Sequence, residues 1–154
     1  MPITIEKITA ADVPQVVTMI SALAAHHDDV PDIDAARLMR DALGPNPWVH
    51  VLVARGGSQA IGYAALMPMA QLAFGVRGMD MHHLFVHRDA RGHGVGAALV
   101  RACQDTARAL DCSFITVGTH PDNHVAGRFY ERCGFLRRST SGPRFGMRLD
   151  QPPT

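Results

Sequence analysis

Residues 84–100 read Leu-Phe-Val-His-Arg-Asp-Ala-Arg-Gly-His-Gly-Val-Gly-Ala-Ala-Leu-Val. The apolar start belongs to a predicted strand over 79–87, and the end opens a predicted helix over 94–110. On that helix Val95, Ala98, Leu99, Ala102, Cys103, Ala107 and Leu110 share one face, while Arg101, Gln104, Asp105 and Arg108 lie away from it. Between strand and helix stands Arg91-Gly92-His93-Gly94-Val95-Gly96. Glycine lets backbone amides approach a ligand, and a helix start offers unpaired N–H donors at its positive end. Arg91 adds a side-chain charge. Strand, glycine loop and helix together predict a cradle for a pyrophosphate. A Walker loop would need Gly-Lys-Ser/Thr, and a dinucleotide fingerprint would need G-x-G-x-x-G. This loop has neither.

The rest of the chain supplies a mixed set of elements around that unit. Residues 2–8 alternate as a short strand. Thr9 to Asp12 resembles a capping box with the acid shortened from Glu. Val13, Val16, Val17, Ile20 and Ala24 then recur at helical spacing to about His26. Asp32 is expected to cap a second helix that Gly44-Pro45 ends. Two strands, 48–55 and 60–69, flank the turn Gly56-Gly57-Ser58. Residues 113–118 read as a short apolar strand. Asn123 is placed to cap a last helix, with Gly134 at its end. Phe135 to Asp150 reads as a hairpin around Ser141-Gly142-Pro143. The order β-α-α-β-β-β-α-β-α-β-β predicts an α/β (α+β) chain, 1–154, as a single domain. Its mixed, mostly antiparallel sheet would have about seven strands, with about four helices on both faces.

Composition narrows the function. The 154 residues are 47% apolar and 19% charged, and 15 bases against 14 acids give +1. That balance is too small for a protein that works by neutralising nucleic-acid phosphate. It hides a split: residues 1–80 carry −3 and residues 81–154 carry +4. Cys103, Cys112 and Cys133 are odd in number and form no CxxC pair, so neither a disulfide framework nor a zinc knuckle is indicated. The early charges Glu6, Lys7 and Asp12 break any signal-peptide core, and no apolar run is long enough for a bilayer. A cytoplasmic protein without membrane contact is expected. Fourteen arginines to one lysine suggest a GC-rich bacterial genome. His82, His83, His87 and His93 are close in sequence. Neighbours on a strand face opposite ways, however, so no metal site is expected.

Three pieces stand in one order: Leu84-Phe85-Val86, Arg91-x-x-Gly94-x-Gly96, and Asn123-x-x-Ala126-x-x-Phe129-Tyr130-x-x-x-Gly134-Phe135. Together with the element order they resemble the GCN5-related N-acetyltransferase (GNAT) superfamily over nearly the whole chain. Residues 70–86 and Asp111-Cys112 are also similar to its diamine and polyamine branch. The resemblance implies acetyl-CoA as co-substrate. Its pantetheine would run beside Leu84, Phe85 and Val86, using backbone groups of Phe85 and Val86. Its pyrophosphate would sit on the amides of Arg91, Gly92, His93, Gly94, Val95 and Gly96. Asn123, Ala126 and Phe129 would flank the pantetheine arm, and Tyr130 would protonate the leaving thiolate. A backbone N–H near Val86 would polarise the thioester carbonyl.

The proton acceptor departs from the family pattern. Many relatives have acids just before the Leu-x-Val strand, where this chain has His82 and His83. By alternation Asp80, His82 and Leu84 share a face, so Asp80 could orient His82 as general base. Asp28, Asp29, Asp80 and Phe74 are the candidate substrate contacts. The expected reaction is direct transfer of acetyl to a primary amine, with a small-molecule acceptor as partner and a homodimer as the assembly. Acetylation of a protein N-terminus or lysine is an alternative, and a non-catalytic acyl-CoA-binding module is another.

Overall fold

A five-stranded sheet in the order β1-β2-β3-β4-β5 forms the centre of the computed structural model, which describes residues 2–139 and 142–150. The strands are β1 (Ile3–Lys7), β2 (His50–Gly56), β3 (Gln59–Gln71), β4 (Val76–Val86) and β5 (Cys112–Val117). The first three neighbour pairs are antiparallel, and β4 and β5 are parallel. A parallel pair needs a crossover, which α3 (Val95–Ala109) supplies. The helices α1 (Val13–His26) and α2 (Ala35–Ala42) pack on one face of the sheet, and α3 packs on the other. The fourth helix, α4 (His124–Arg132), adds Phe129 and Tyr130 to the α3 side.

The burial pattern explains why β2 and β3 read as nearly continuous apolar runs. Val51 and Val53 face α1, while Leu52 and Ala54 face α3. A strand covered on both faces has no polar side to show. On α1, Val13, Val16 and Met19 are the buried turn-by-turn positions. The turn before it is tied to the sheet. Asp12 accepts from the Thr9 backbone N–H at 2.8 Å and from its hydroxyl at 3.0 Å, and also pairs with Arg55 of β2. Burial by itself would raise the Asp12 pKa, but the hydrogen bonds from Arg55 and Thr9 outweigh it and hold the carboxyl below its usual range.

Two expectations need correction. The second helix is capped by Asp34, whose carboxylate accepts from the Arg37 N–H at 2.8 Å; Asp32 instead offers its backbone carbonyl to the Arg37 guanidinium. Both acids precede the helix, and Asp34 is the one three residues before a free N–H. Among the described residues the sheet has five strands, not about seven. Residues 135–139 and 142–150 form no strand, and Ser141 at the expected turn lies outside the described residues. Phe145, Met147 and Leu149 do alternate, but they are 91%, 85% and 90% exposed. Alternation belongs to one segment, whereas a strand exists only when a second backbone meets its N–H and C=O groups.

Gly62 sits where β3 passes under α3. A Cβ there would lie 2.7 Å from the Phe85 carbonyl oxygen and 3.3 Å from Leu99 Cδ1. Gly62→Ala is therefore expected to cost about 1–3 kcal/mol through overpacking. Urea unfolding reads this directly, and an unchanged midpoint would show that the β3–β4 backbone can give way at Phe85.

Candidate active site

Pairing between β4 and β5 stops at Met81–Val117. Across the other edge of β4, Ala65 pairs with His83 and Leu66 with Met81, so His82 is an extra residue. Such a bulge bends its strand and increases the local twist. From His82 to Val86, β4 keeps β3 on one side and has no strand on the other among the described residues. A cleft of about 800 Å³ opens along this free edge. The C-terminal end of α1, the glycine loop, the chain after β5 and α4 close it.

The glycine loop forms one end. Gly92 and Gly94 have φ of +81° and +80°, and nothing stands within 4 Å of where either Cβ would be. Gly94 is the N-cap of α3, and among the described residues no side chain bonds the helix start. The first intrahelical bond there runs from Ala98 N–H to the Gly94 carbonyl. The N–H groups of Val95, Gly96 and Ala97 precede it and face the open loop. This geometry fits a pyrophosphate: space reserved by glycine, uncapped donors and nearby cations. Arg91 donates from Nε to the Val86 carbonyl at 2.9 Å, and its guanidinium lies 6.0 Å from the Phe85 ring centre. Arg132 also lines the cleft, whereas His93 does not. Gly96 serves another purpose, since a Cβ there would press on Phe129 Cζ at 3.2 Å.

Leu84, Phe85 and Val86 line the free edge, and Asn123, Ala126, Phe129 and Tyr130 line the opposite wall. Asn123 caps α4 by accepting from the Ala126 N–H at 3.1 Å. Tyr130 is held edge-on between Phe129 and Phe135. Burial, and after it Cys133, raises its pKa, so the phenol keeps its proton at neutral pH.

The acceptor end differs from the sequence expectation. His82 and His83 do not face opposite ways: their rings stack with centres 4.3 Å apart and planes 14° apart. The bulge breaks alternation. Met79 and Met81 pack on the α3 side, and so do Leu84 and Val86. Asp80 therefore does not share the face of Leu84. Its carboxylate accepts from the Thr116 hydroxyl at 2.7 Å, and no hydrogen bond joins it to His82 among the described residues. His82 is exposed on the cleft. His83 meets the buried Tyr63 hydroxyl at 3.0 Å from Nδ1. Asp29 lines the cleft, but Asp28, Asp80 and the exposed Phe74 do not. Tyr63, His26, His27 and His120 were not legible as site neighbours. The one signal was a tyrosine inside an apolar strand, which needs a polar partner. Among the described residues no three His, Cys, Asp or Glu side chains are grouped to hold a metal ion, and no helix is long and apolar enough to cross a membrane.

Residues 18–135 match the Acetyltransferase (GNAT) family model, and the chain belongs to that family. It is 33% identical over 131 residues to a mycothiol acetyltransferase of Parafrankia sp., covering 83% of this chain and 38% of that protein. The chain thus spans about two fifths of the length of that relative. An IAA acetyltransferase of Azospirillum brasilense is 26% identical over 130 residues, covering 83% of this chain and 81% of that protein. An aminoglycoside acetyltransferase from an uncultured soil metagenomic sample, in complex with sisomicin, shares the fold. Its TM-score is 0.79 at 15% identity, over 95% of this chain and 97% of that one. The similarity to the diamine and polyamine branch stands on the sequence pattern of residues 70–86 and Asp111-Cys112, and none of these relatives is named for that branch.

Burial first, then His82 and His27, push His83 down to about 4. An unfolded histidine titrates near 6.5. Between those values the unfolded chain binds the extra proton, so the stability from a neutral His83 is present above about pH 6.5 and lost as pH falls toward 4. His50, also lowered by burial and by Lys7, adds to this slope. The urea midpoint is expected to drop from pH 7.5 to pH 5, and to drop less in His83→Gln. Equal drops would show that His83 takes no part.

Proposed function

We propose that the protein transfers the acetyl group of acetyl-CoA to a primary amine of a small molecule, with both reactants bound in the one cleft. The carrying observation is the meeting of an open glycine loop, a free strand edge and a protonated Tyr130 in that cleft. Family membership supports the reading, as do relatives named for mycothiol, IAA and aminoglycoside acetylation. Bound acetyl-CoA supplies an activated thioester. The amides of Val95, Gly96 and Ala97, with Arg91 and Arg132, hold its pyrophosphate. Arg91 already rests on the Val86 carbonyl, which aims its guanidinium at the loop and leaves that oxygen a second lone pair. The edge from Leu84 to Val86 aligns the pantetheine, beside Asn123, Ala126 and Phe129. Holding the two reactants in line is most of the catalysis.

Protons must balance. An ammonium acceptor and the thioester become an amide, a thiol and one released proton. His82 takes the ammonium proton at a ring nitrogen and passes it to water. Tyr130 gives its hydroxyl proton to the departing sulfur and regains one from solvent, matching the second proton that leaves nitrogen. Asp29, at the end of α1, faces the acceptor.

Thiol release over a panel of amines, amino acids, polyamines and aminoglycosides tests the activity. Isothermal titration without heat from acetyl-CoA or CoA at high micromolar concentration would defeat the reading. Tyr130→Phe is expected to lower kcat by about 10²-fold, within the range for a lost general acid. Its CoA affinity should be unchanged, and wild-type turnover would remove Tyr130 from the chemistry. Gly94→Val should weaken CoA binding at least about tenfold, or 1.4 kcal/mol. It fills open space and strains a backbone at φ +80°. Tight binding in that variant would move the cradle elsewhere.

A further inference from the structure

Tyr63 is the largest fully buried side chain, and its one polar atom ends on His83. A phenylalanine would fill nearly the same volume without needing a partner. Burial raises the Tyr63 pKa, so the phenol stays protonated. The phenol has one hydrogen and His83 Nδ1 as its partner at 3.0 Å; with the phenol as donor, the neutral ring carries its hydrogen on Nε2. The Tyr63 ring also meets the His83 ring nearly edge-on, with centres 6.0 Å apart. His83 is thus held both at one nitrogen and in its plane. His82 lies flat on it and lines the cleft. Successive strand residues touch in this way only because His82 is the bulged position.

We propose that Tyr63 and His83 are positioning residues that hold His82 for proton uptake from the acceptor amine. This rests on the acetyl-transfer reading above. A free imidazole on an exposed strand edge samples several rotamers. Here the outer ring is kept in one plane by a ring that is itself pinned to the core. The N–H bond of the ammonium breaks, the proton joins a nitrogen of His82, and the imidazolium returns it to water. Because His83 stays neutral, the pair carries this proton on the outer ring, over a neutral π face. Tyr63 from β3 and His27 after α1 act on His83 directly. The other charged and titratable groups lining the same cleft are His26 and Asp29 from α1 and its end, Arg91 from the loop, His120 from the chain after β5, and Tyr130 and Arg132 from α4.

The test compares wild type with Tyr63→Phe, His83→Ala, His83→Phe and His82→Ala. In the ligand-free protein, nitrogen NMR is expected to show His83 with bare Nδ1 and protonated Nε2, a pattern that Tyr63→Phe scrambles. The ring-current displacement of the His82 Cε1–H signal should vanish in His83→Ala and return in His83→Phe. In turnover, His82→Ala should lower kcat by about 10²-fold and His83→Ala by about tenfold, with KM for acetyl-CoA unchanged. His83→Phe, which restores a flat ring but loses the bond to Tyr63, should fall between His83→Ala and wild type. Urea midpoints identify any variant that fails to fold, and His83→Phe keeps an apolar ring in the buried site if His83→Ala does not. Wild-type kcat in His83→Ala, or a His83→Phe no better than His83→Ala, overturns the proposal. An unmoved His82 signal in His83→Ala does the same. If wild type releases no thiol with any amine, the acetyl-transfer reading fails, and the two NMR measurements still decide whether Tyr63 and His83 hold His82.

Discussion

One extra residue in β4 sets the geometry of everything around it. His82 has no partner on β3, and immediately before it the ladder to β5 ends. A parallel ladder that ran on to Val86 would fill the cleft with backbone hydrogen bonds. Instead the twist of the bulge carries β4 away from β5, and the vacated edge becomes one wall of the site. The strand also changes parity there. Methionines 79 and 81 and then Leu84 and Val86 pack on the α3 side, and the two histidines between them are free to face the cleft.

A wedge of this kind holds its shape only if the sheet beneath it is stiff. Both faces of β2 and of β3 from Gly62 to Leu66 are covered, with Val53, Ala54, Ala64 and Tyr63 fully shielded. The Asp12–Arg55 pair, with Thr9 as a third member, fastens the turn that launches α1 to β2. A partly buried ion pair of this sort contributes as much to register as to stability. It matters here because the far end of α1 brings His26, His27 and Asp29 to the cleft.

The sequence disclosed what local chemistry decides. The glycine loop, the cap at Asn123, the helix faces and most strand positions follow from spacing and from residue types that few other conformations accept. It concealed what depends on pairing between distant segments. Strict alternation placed His82 beside Asp80 and opposite His83, and no residue near 82 announces a bulge. The same limit explains the C-terminal segment. Phe145, Met147 and Leu149 satisfy the period of a strand, yet the period carries no information about whether another backbone is within reach. Tyr63 lies between these cases: its hydroxyl demanded a partner, but only the fold could say which.

The contact between Gly96 and Phe129 has a consequence for measuring length. Helix α4 rests on the first turn of α3 through the Phe129 ring, at a spacing where an added methyl group would lie 3.2 Å from Cζ and push the ring back. The next residue on α4 is Tyr130. The span from the Val95, Gly96 and Ala97 amides to the phenolic oxygen is therefore set by an aromatic thickness rather than by a pliant connection. On the proposed reading the cleft would act as a gauge with two jaws: a ligand arm that starts at those amides would reach Tyr130 only when it has the matching length.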